Sequence, residues 1–302
     1  MSRIAVTGAT GLIGRALVTS LSGDGHRVVR VVRDPRAAGS EDVVWDPEAG
    51  TIDAAGLEGV DAVVHLAGEP IGASRWTDEQ RHRIRDSRVR GTDLLARTLA
   101  GLERRPEVLV SSSAVGVYGD RGDEELTEDS TPGDDFLAEV CLAWEAAADP
   151  AREAGIRVVL PRTGVVIAKD GPLIDKVELP FRMGVGGRVG SGHQYVPWIS
   201  LIDEVAALRF LIDRPLEGPV NLTGPNPATN REMTSALGTV LRRPTLLPIP
   251  TLAIRLLYGE MGETLATVSQ RVLPRRLLEA GFVFRHTTIL AALRTAFDRT
   301  AA

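Results

Sequence analysis

Three consecutive serines followed by a tyrosine form a dense group of side chains that could do chemistry. Ser111, Ser112 and Ser113 end the apolar run EVLV, and Tyr118 follows in SSSAVGVYGD. Hydroxyls at the end of a strand can hold a substrate oxygen, and a tyrosine can act as a base if a cation lowers its pKa from about 10. The segment therefore indicates a polar active site, provided that the partners of these hydroxyls are present.

A glycine triplet near the start of the chain is typical of phosphate binding. TGATGLIG places Gly8, Gly11 and Gly14 at equal spacing between an apolar strand and a helical stretch. The first glycine permits a tight turn, the second lets the backbone approach a pyrophosphate, and the third lets helix and strand pack closely. A triplet alone could be an ordinary turn. Its position between the first strand and helix of an α/β pattern predicts a dinucleotide loop.

The end of the second predicted strand bears on the choice of dinucleotide. An acidic residue there accepts a hydrogen bond from the ribose of NAD, whereas an arginine accommodates the 2′-phosphate of NADP. In VVRVVRDP, Arg33 stands at that end and Asp34 follows it. We therefore predict NADP(H) as the cofactor. Asp34 keeps NAD as an alternative, and a solvated charge is the other interpretation of Arg33.

These groups need a parallel sheet to position them. Short apolar runs such as RIAVTG, HRVVRVVR, VDAVVHLAG, EVLVSSS and IRVVLPRTGVV alternate with amphipathic helical stretches. Uninterrupted apolar strands between helices indicate a sheet that is covered on both faces. The predicted fold is α/β: a Rossmann-type doubly wound parallel sheet with a smaller, mainly helical C-terminal lobe.

The pattern changes after Ile167, where glycine-rich and helical segments replace the alternation. We predict an NADP-binding Rossmann domain over residues 1–228, with a substrate-lobe insertion at about 171–200. A small helical domain is predicted over residues 229–302.

Composition excludes several classes of partner. The net charge of −5 provides no basic field for nucleic acid. No apolar run approaches the roughly 20 residues that span a bilayer, so no membrane partner is expected. The N-terminus does not resemble a signal peptide, and the single cysteine, Cys141, fits a reducing compartment. We expect a cytoplasmic protein that acts on a small molecule, with a homodimer left open.

The motifs together resemble a known family. TGATGLIG, DAVVHLAG, RVRGTDLL and SSSAVGVYG occur in the order seen in extended short-chain dehydrogenases/reductases. The further segments RWTDEQRHRIRDSR, PFRMGVGGRVGSGHQYVPWISLID and RVLPRRLLEAGFVFR are similar to an atypical branch. Its members are called epimerase family proteins, sometimes cell-division inhibitors, and carry a C-terminal domain of uncharacterised role. The resemblance covers nearly the whole chain.

The resemblance implies roles for further residues. Ser113 or Ser112 would face the nicotinamide pocket. Where most extended members have an asparagine, this chain has Arg88, which implies a phosphate ligand or, alternatively, a surface helix charge. The other residues implied to contact the cofactor, in addition to the three glycines, are Thr10, Leu12, Ile13, Val32, Arg33, Leu66, Ala67, Gly68, Ser111, Gly164 and Val166.

The catalytic pair of the family is missing. Ordinary members use a Tyr-x-x-x-Lys pair in which the lysine lowers the pKa of the tyrosine. Four residues after each of the three tyrosines stand Gly122, Ile199 and Gly262, so the pair is absent. Alignment of the helix by WEAAA puts Leu137 at the position of the tyrosine and Cys141 at that of the lysine.

Three residues are candidates for the missing chemistry. Glu139 lies in the same helix and could be a base if it is buried, although a solvated helix charge is the simpler interpretation. Cys141 could be a nucleophile or a small core residue. Tyr118 could donate a hydrogen bond in the pocket or pack in the core.

Three functions follow from these observations. The first is an NADP(H)-binding oxidoreductase or epimerase-like enzyme that acts on an unidentified small molecule without the usual pair. The second is a non-catalytic NADP(H)-binding redox sensor or regulator. The third is a sugar-nucleotide epimerase, which would need a base that the sequence does not display. The sequence alone leaves open whether the protein turns over a substrate.

Overall fold

A large sheet forms the centre of the molecule. The computed structural model describes residues 1–72 and 74–298, and within them the sheet has nine strands. The strands of the described chain are β1 (Arg3–Thr7), β2 (Arg27–Val32), β3 (Val43–Asp46), β4 (Thr51–Ile52), β5 (Ala62–His65), β6 (Val108–Ser111), β7 (Ser113–Ala114), β8 (Glu125–Leu126), β9 (Arg157–Thr163), β10 (Val165–Ile167), β11 (Tyr195–Val196), β12 (Trp198–Ser200), β13 (Gly218–Leu222), β14 (Ala228–Thr229) and β15 (Arg271–Val272).

The order of the strands creates a ligand crevice. It runs β13-β9-β6-β5-β1-β2-β3-β4, with β7 paired to β9. All pairs in this sheet are parallel except the β3–β4 hairpin. The chain winds outward in both directions from β1, so the order reverses between β1 and β5. Ligands of doubly wound sheets bind at the carboxyl ends of the strands beside this point.

Helices cover both faces of the sheet, as the sequence predicted. One face packs against α1 and α6 through Leu17, Leu21 and Leu208, and the other packs against α2 and α4 through Leu95 and Ala151. The helices are α1 (Leu12–Gly23), α2 (Asp78–Ala100), α3 (Phe136–Ala146), α4 (Asp149–Glu153), α5 (Pro172–Arg182), α6 (Leu201–Asp213), α7 (Asn230–Leu241), α8 (Thr251–Thr267), α9 (Arg275–Glu279) and α10 (Ile289–Phe297).

The mainly helical C-terminal lobe has its own core. Phe181 of α5, Leu237 of α7 and Leu293 of α10 belong to one buried cluster. The pairs β11–β14 and β8–β15 tie this part of the chain back to earlier segments. The domain limits at residues 228 and 229 stay a prediction. No helix in the described part of the chain is long and apolar enough to cross a bilayer.

Candidate dinucleotide and active site

The glycine loop between β1 and α1 is shaped by two close approaches. Gly8 has φ +64°, and a Cβ there would lie 2.8 Å from the carbonyl carbon of Leu66. A Cβ on Gly14 would lie 2.1 Å from the Gly8 oxygen, so helix and loop touch as predicted. Gly11 caps α1 in an extended conformation, no side chain caps the helix, and no acidic residue lies in its first turn. This helix end is therefore suited to a pyrophosphate.

A buried hydrogen-bond chain holds the β1 and β5 ends together. Thr7 Oγ1 accepts from the backbone N–H groups of Leu66 (3.0 Å) and Ala67 (3.2 Å) and lies 2.7 Å from His65 Nδ1. His65 Nε2 lies 2.9 Å from Thr92 Oγ1 of α2. Burial lowers the pKa of His65 to about 4, so the ring is neutral at physiological pH. The HLAG loop is thus fixed against the glycine loop.

The end of β2 presents an arginine and a carboxylate that is already engaged. Asp34 caps the short 3-10 helix Pro35–Ala37 by accepting from the N–H of Arg36 at 2.9 Å. It also accepts from the guanidinium of Arg36 at 2.9 and 3.0 Å, which lowers its pKa. Arg33 is exposed and forms no salt bridge with any described residue. The strand end therefore offers a free cation rather than a free acid.

Arg88 is a buried residue, so the alternative interpretation as a surface helix charge is wrong. Its Nη1 donates to the carbonyls of Glu69 (2.9 Å) and Ile84 (3.0 Å), and its guanidinium carbon lies 5.0 Å from the centre of a Trp144 ring. The same carbon lies 3.3 Å from where a Cβ on Gly68 would be, and burial lowers the pKa of Arg88. The guanidinium therefore packs against the HLAG loop. A direct phosphate contact stays a prediction.

The other predicted cofactor contacts follow the carboxyl ends of β1, β2, β5, β6 and β9. Ser111 Oγ is buried and has no hydrogen-bond partner among the described residues, which leaves a polar group for a ligand. Gly164 has a packing reason as well, because a Cβ there would lie 2.1 Å from the Pro197 oxygen. The remaining predicted residues are exposed Thr10, half-buried Leu12, Ile13, Leu66, Ala67 and Val166, buried Val32 and exposed Gly68.

A buried polar network occupies the place where the catalytic hydroxyls were expected. Ser113 Oγ donates to Glu145 Oε1 at 2.6 Å. Glu145 and Arg162 form a two-pronged ion pair at 2.8 and 2.9 Å. Arg162 Nη1 donates to the Tyr118 hydroxyl at 3.1 Å, and this hydroxyl donates to Asn221 Oδ1 at 2.7 Å. The network joins β7, α3, β9 and β13.

This network corrects the expectation for Ser113 and Tyr118. Both side chains are buried, and each directs its only proton to a protein acceptor. Burial raises the pKa of Tyr118, so it is not a tyrosinate base at neutral pH. Ser112 differs because it is half-buried and its backbone N–H, rather than its hydroxyl, bonds to His65. It is the accessible hydroxyl of the two serines considered.

The two candidates on α3, Glu139 and Cys141, do not supply the missing base or nucleophile either. Glu139 is exposed, so it does not meet the condition of burial under which it would be a base, and it is a solvated helix charge. Cys141 is buried beside Gly116, and burial raises the pKa of its thiol to about 12. Leu137 contacts the same glycine. The two positions aligned with the family's tyrosine and lysine thus pack against the turn that carries Tyr118.

Comparisons with known proteins identify the family of this chain. Residues 4–223 match the profile of the NAD dependent epimerase/dehydratase family, and residues 249–296 match a domain of unknown function, DUF1731. The chain is 45% identical over 298 residues to epimerase family protein Mb2239 of Mycobacterium bovis, covering 98% of each chain. The chain belongs to the NAD dependent epimerase/dehydratase family.

Two solved structures share the fold of this chain. The human epimerase family protein SDR39U1 (isoform 2), crystallised with NADPH, has a TM-score of 0.88 and 34% identity, covering 97% of this chain and 98% of that one. A nucleoside-diphosphate sugar epimerase from Corynebacterium glutamicum has a TM-score of 0.80 and 38% identity, covering 97% of this chain and 57% of that one. Both also support the resemblance inferred from the motifs.

Glu145 and Arg162 are two members of the buried network that were not predicted from the sequence. A signal was present: Arg162 interrupts the otherwise apolar strand IRVVLPRTGVV, and a charge in a fully buried strand needs a partner. Nothing in the sequence indicates which acidic residue provides it, because Glu145 lies on a helix 17 residues away.

Glu204 is a second buried carboxyl that the sequence did not suggest. Thr163 Oγ1 donates to Glu204 Oε1 at 2.8 Å, directly before the Gly164 segment. Its Oε2 has no partner among the described residues, and burial raises its pKa to about 8. Glu204 is therefore mainly protonated at neutral pH.

The ion pair provides a first prediction about stability. Arg162→Met leaves Glu145 buried without a counter-charge, and Glu145→Leu does the converse, so each single variant should lose about 3–5 kcal/mol of unfolding free energy. The double variant should lose much less than the sum. Urea unfolding of all four proteins measures this coupling, with the exposed Asp149–Arg152 pair as a control that should show little. Additive losses would contradict the coupling.

Glu204 provides a prediction about pH. An unfolded carboxyl ionises near 4.5, whereas the folded one holds its proton to about pH 8. Between these values the folded state binds more protons, so the wild type should lose stability as the pH rises. Glu204→Gln removes this loss and should be increasingly more stable than wild type from pH 5 to 8, as measured by chemical unfolding. The neighbouring pair of Asp203 and His286, 3.4 Å apart, is present in both proteins, so a difference in stability that does not change with pH would refute the assignment.

Proposed function

We propose that the protein binds NADP(H) and is an oxidoreductase or epimerase-like enzyme that acts on a small molecule without a Tyr-x-x-x-Lys pair. The choice of cofactor rests on Arg33, which has no salt-bridge partner among the described residues, beside Asp34, which is already bonded to Arg36. Both follow β2, next to the glycine loop and the uncapped N-terminus of α1. The NADPH in the crystal structure of the human relative supports the choice of cofactor. NAD remains the alternative, because Asp34 could bond a ribose if it released Arg36.

The residues present favour a reduction over proton abstraction. Bound NADPH would supply a hydride. Ser112, the more accessible of the two serine hydroxyls, would donate a hydrogen bond to the acceptor oxygen of a substrate, and reduction of a polarised acceptor does not require a tyrosinate base. Epimerisation of a sugar nucleotide would require removal of a hydroxyl proton. The raised pKa of Tyr118 and the exposure of Glu139 argue against that alternative.

A non-catalytic redox sensor or regulator is the second candidate. The inward orientation of the Ser113 and Tyr118 hydroxyls favours it, because a protein without turnover can use these groups for stability. The accessible Ser112 favours an enzyme.

One experiment separates these functions. Purified protein with NADPH is incubated with a panel of carbonyl and enone compounds, and nicotinamide absorbance is followed. An enzyme should oxidise NADPH with at least one compound, and Ser112→Ala should lower kcat while Ser235→Ala, an exposed control on α7, should not. Tight NADPH binding without oxidation across a broad panel would favour the regulator.

The cofactor assignment is tested by Arg33→Ala. Loss of a charged hydrogen bond to the 2′-phosphate costs about 1.5–3 kcal/mol, so NADPH affinity should fall roughly tenfold to a hundredfold while NADH affinity stays the same. Fluorescence titration with both nucleotides measures the discrimination. Arg27→Ala, at the other end of β2, is the control. Unchanged discrimination in Arg33→Ala would remove Arg33 from the site.

A further inference from the structure

Large apolar side chains are exposed together on the C-terminal lobe. We call them the apolar face, and their exposed fractions run from 57 to 88%. Apolar surface concentrated in this way marks an interaction site more often than scattered residues do. The members in α5 and the turn after it are Leu179, Met183 and Val185. Those in the linker between α7 and α8, and in α8 itself, are Leu246, Leu247, Leu252, Leu256 and Leu257.

The two parts of the apolar face are neighbours in the structure. Residues 182–190 run beside residues 243–251, because Arg243 Nε donates to the Arg182 carbonyl at 2.9 Å and the Ile249 N–H donates to the Arg188 carbonyl at 2.7 Å. On α5, Lys176 lies one turn before Leu179, and its Nζ is 5.9 Å from the centre of the Tyr258 ring. These contacts join α5 to α8.

The surroundings of the apolar face are basic, in contrast to the whole chain. Residues 172–190 and 242–267, which carry the apolar face, contain six basic and four acidic residues, whereas the chain as a whole carries a net charge of −5. Arg182 pairs with Glu178, and Arg255 lies 3.4 Å from Glu263. The other three arginines, Arg188, Arg242 and Arg243, form no salt bridge with a described residue. An occupant of this face should therefore carry negative charge beside apolar surface.

A second copy of the chain fits this requirement poorly. In a twofold dimer the same patch lies on both sides of the contact, so two surfaces with the same net positive charge would meet. A contact with an acidic region elsewhere on the second copy would be head-to-tail and would not close as a dimer. Exposed apolar side chains flanked by arginines are typical of segments that lie in the membrane interface.

We propose that the apolar face docks the protein on an anionic lipid surface. Leucines enter the boundary between headgroups and acyl chains while the unpaired arginines contact the negative headgroups. The sequence expectation of no membrane partner rested on the lack of a spanning run, and peripheral docking does not need such a run. The docking is independent of the proposed cofactor and reaction.

Vesicle co-sedimentation of the full chain tests the proposal. Vesicles of phosphatidylcholine alone are compared with vesicles that also contain phosphatidylglycerol. Three unpaired arginines at about fivefold each should make binding to the anionic vesicles stronger by on the order of a hundredfold. Added salt should weaken this binding because it screens exposed charges. No binding, or equal binding to both kinds of vesicle, would overturn the proposal.

Matched variants locate the contact. Leu252→Glu with Leu256→Glu places two acids one turn apart on exposed positions of α8, and it should abolish vesicle binding. Leu278→Glu with Val283→Glu makes the same change at exposed residues outside the apolar face and should bind like wild type. Circular dichroism checks that both variants are folded. If the α8 variant dissociates a dimer of a protein that binds no vesicles, the face is a self-interface and the proposal fails.

Discussion

The ion pair between Glu145 and Arg162 is the interaction on which the expected active site depends. Two charges removed from water are tolerated only when each satisfies the other and their remaining hydrogen-bonding capacity is used. Here Ser113 donates to the carboxylate and Tyr118 accepts from the guanidinium, so the hydroxyls complete the solvation of the pair. Ser113 and Tyr118, two hydroxyls considered for catalysis, are thereby structural groups in this chain.

The glycine loop and the strand ends could be predicted because their rules are local. Gly8 and Gly14 are required by backbone contacts within one strand–loop–helix unit, and the end of β2 follows from a single strand. The alternation of apolar and amphipathic segments likewise predicted the sheet and the helices on its faces. Absence of the Tyr-x-x-x-Lys pair could be read from the sequence alone.

The rest could not be predicted, because it depends on contacts between distant segments. Arg162 bonds to Glu145 on α3 and to Tyr118, which in turn bonds to Asn221 on β13. Burial of Arg88 and exposure of Glu139, both charged residues on helices, depend on how α2 and α3 lie against the sheet. The apolar face was equally hidden, since the leucines of α8 have the spacing of an ordinary core helix, and only the tertiary structure leaves them uncovered.

Hydrogen-bond directions limit what the centre of the site can do. Because Thr7 Oγ1 accepts two backbone N–H groups, its own proton points to His65 Nδ1, and the neutral ring must carry its proton on Nε2 toward Thr92. His65, Ser113 and Tyr118 therefore all have their protons committed to the protein. A reduction at this site would take its proton from Ser112 or from solvent, since the protons of Tyr118 and His65 are already directed to Asn221 and Thr92. Such a proton need only follow hydride delivery, whereas an epimerase must remove a proton before hydride can leave the substrate, and this asymmetry favours reduction.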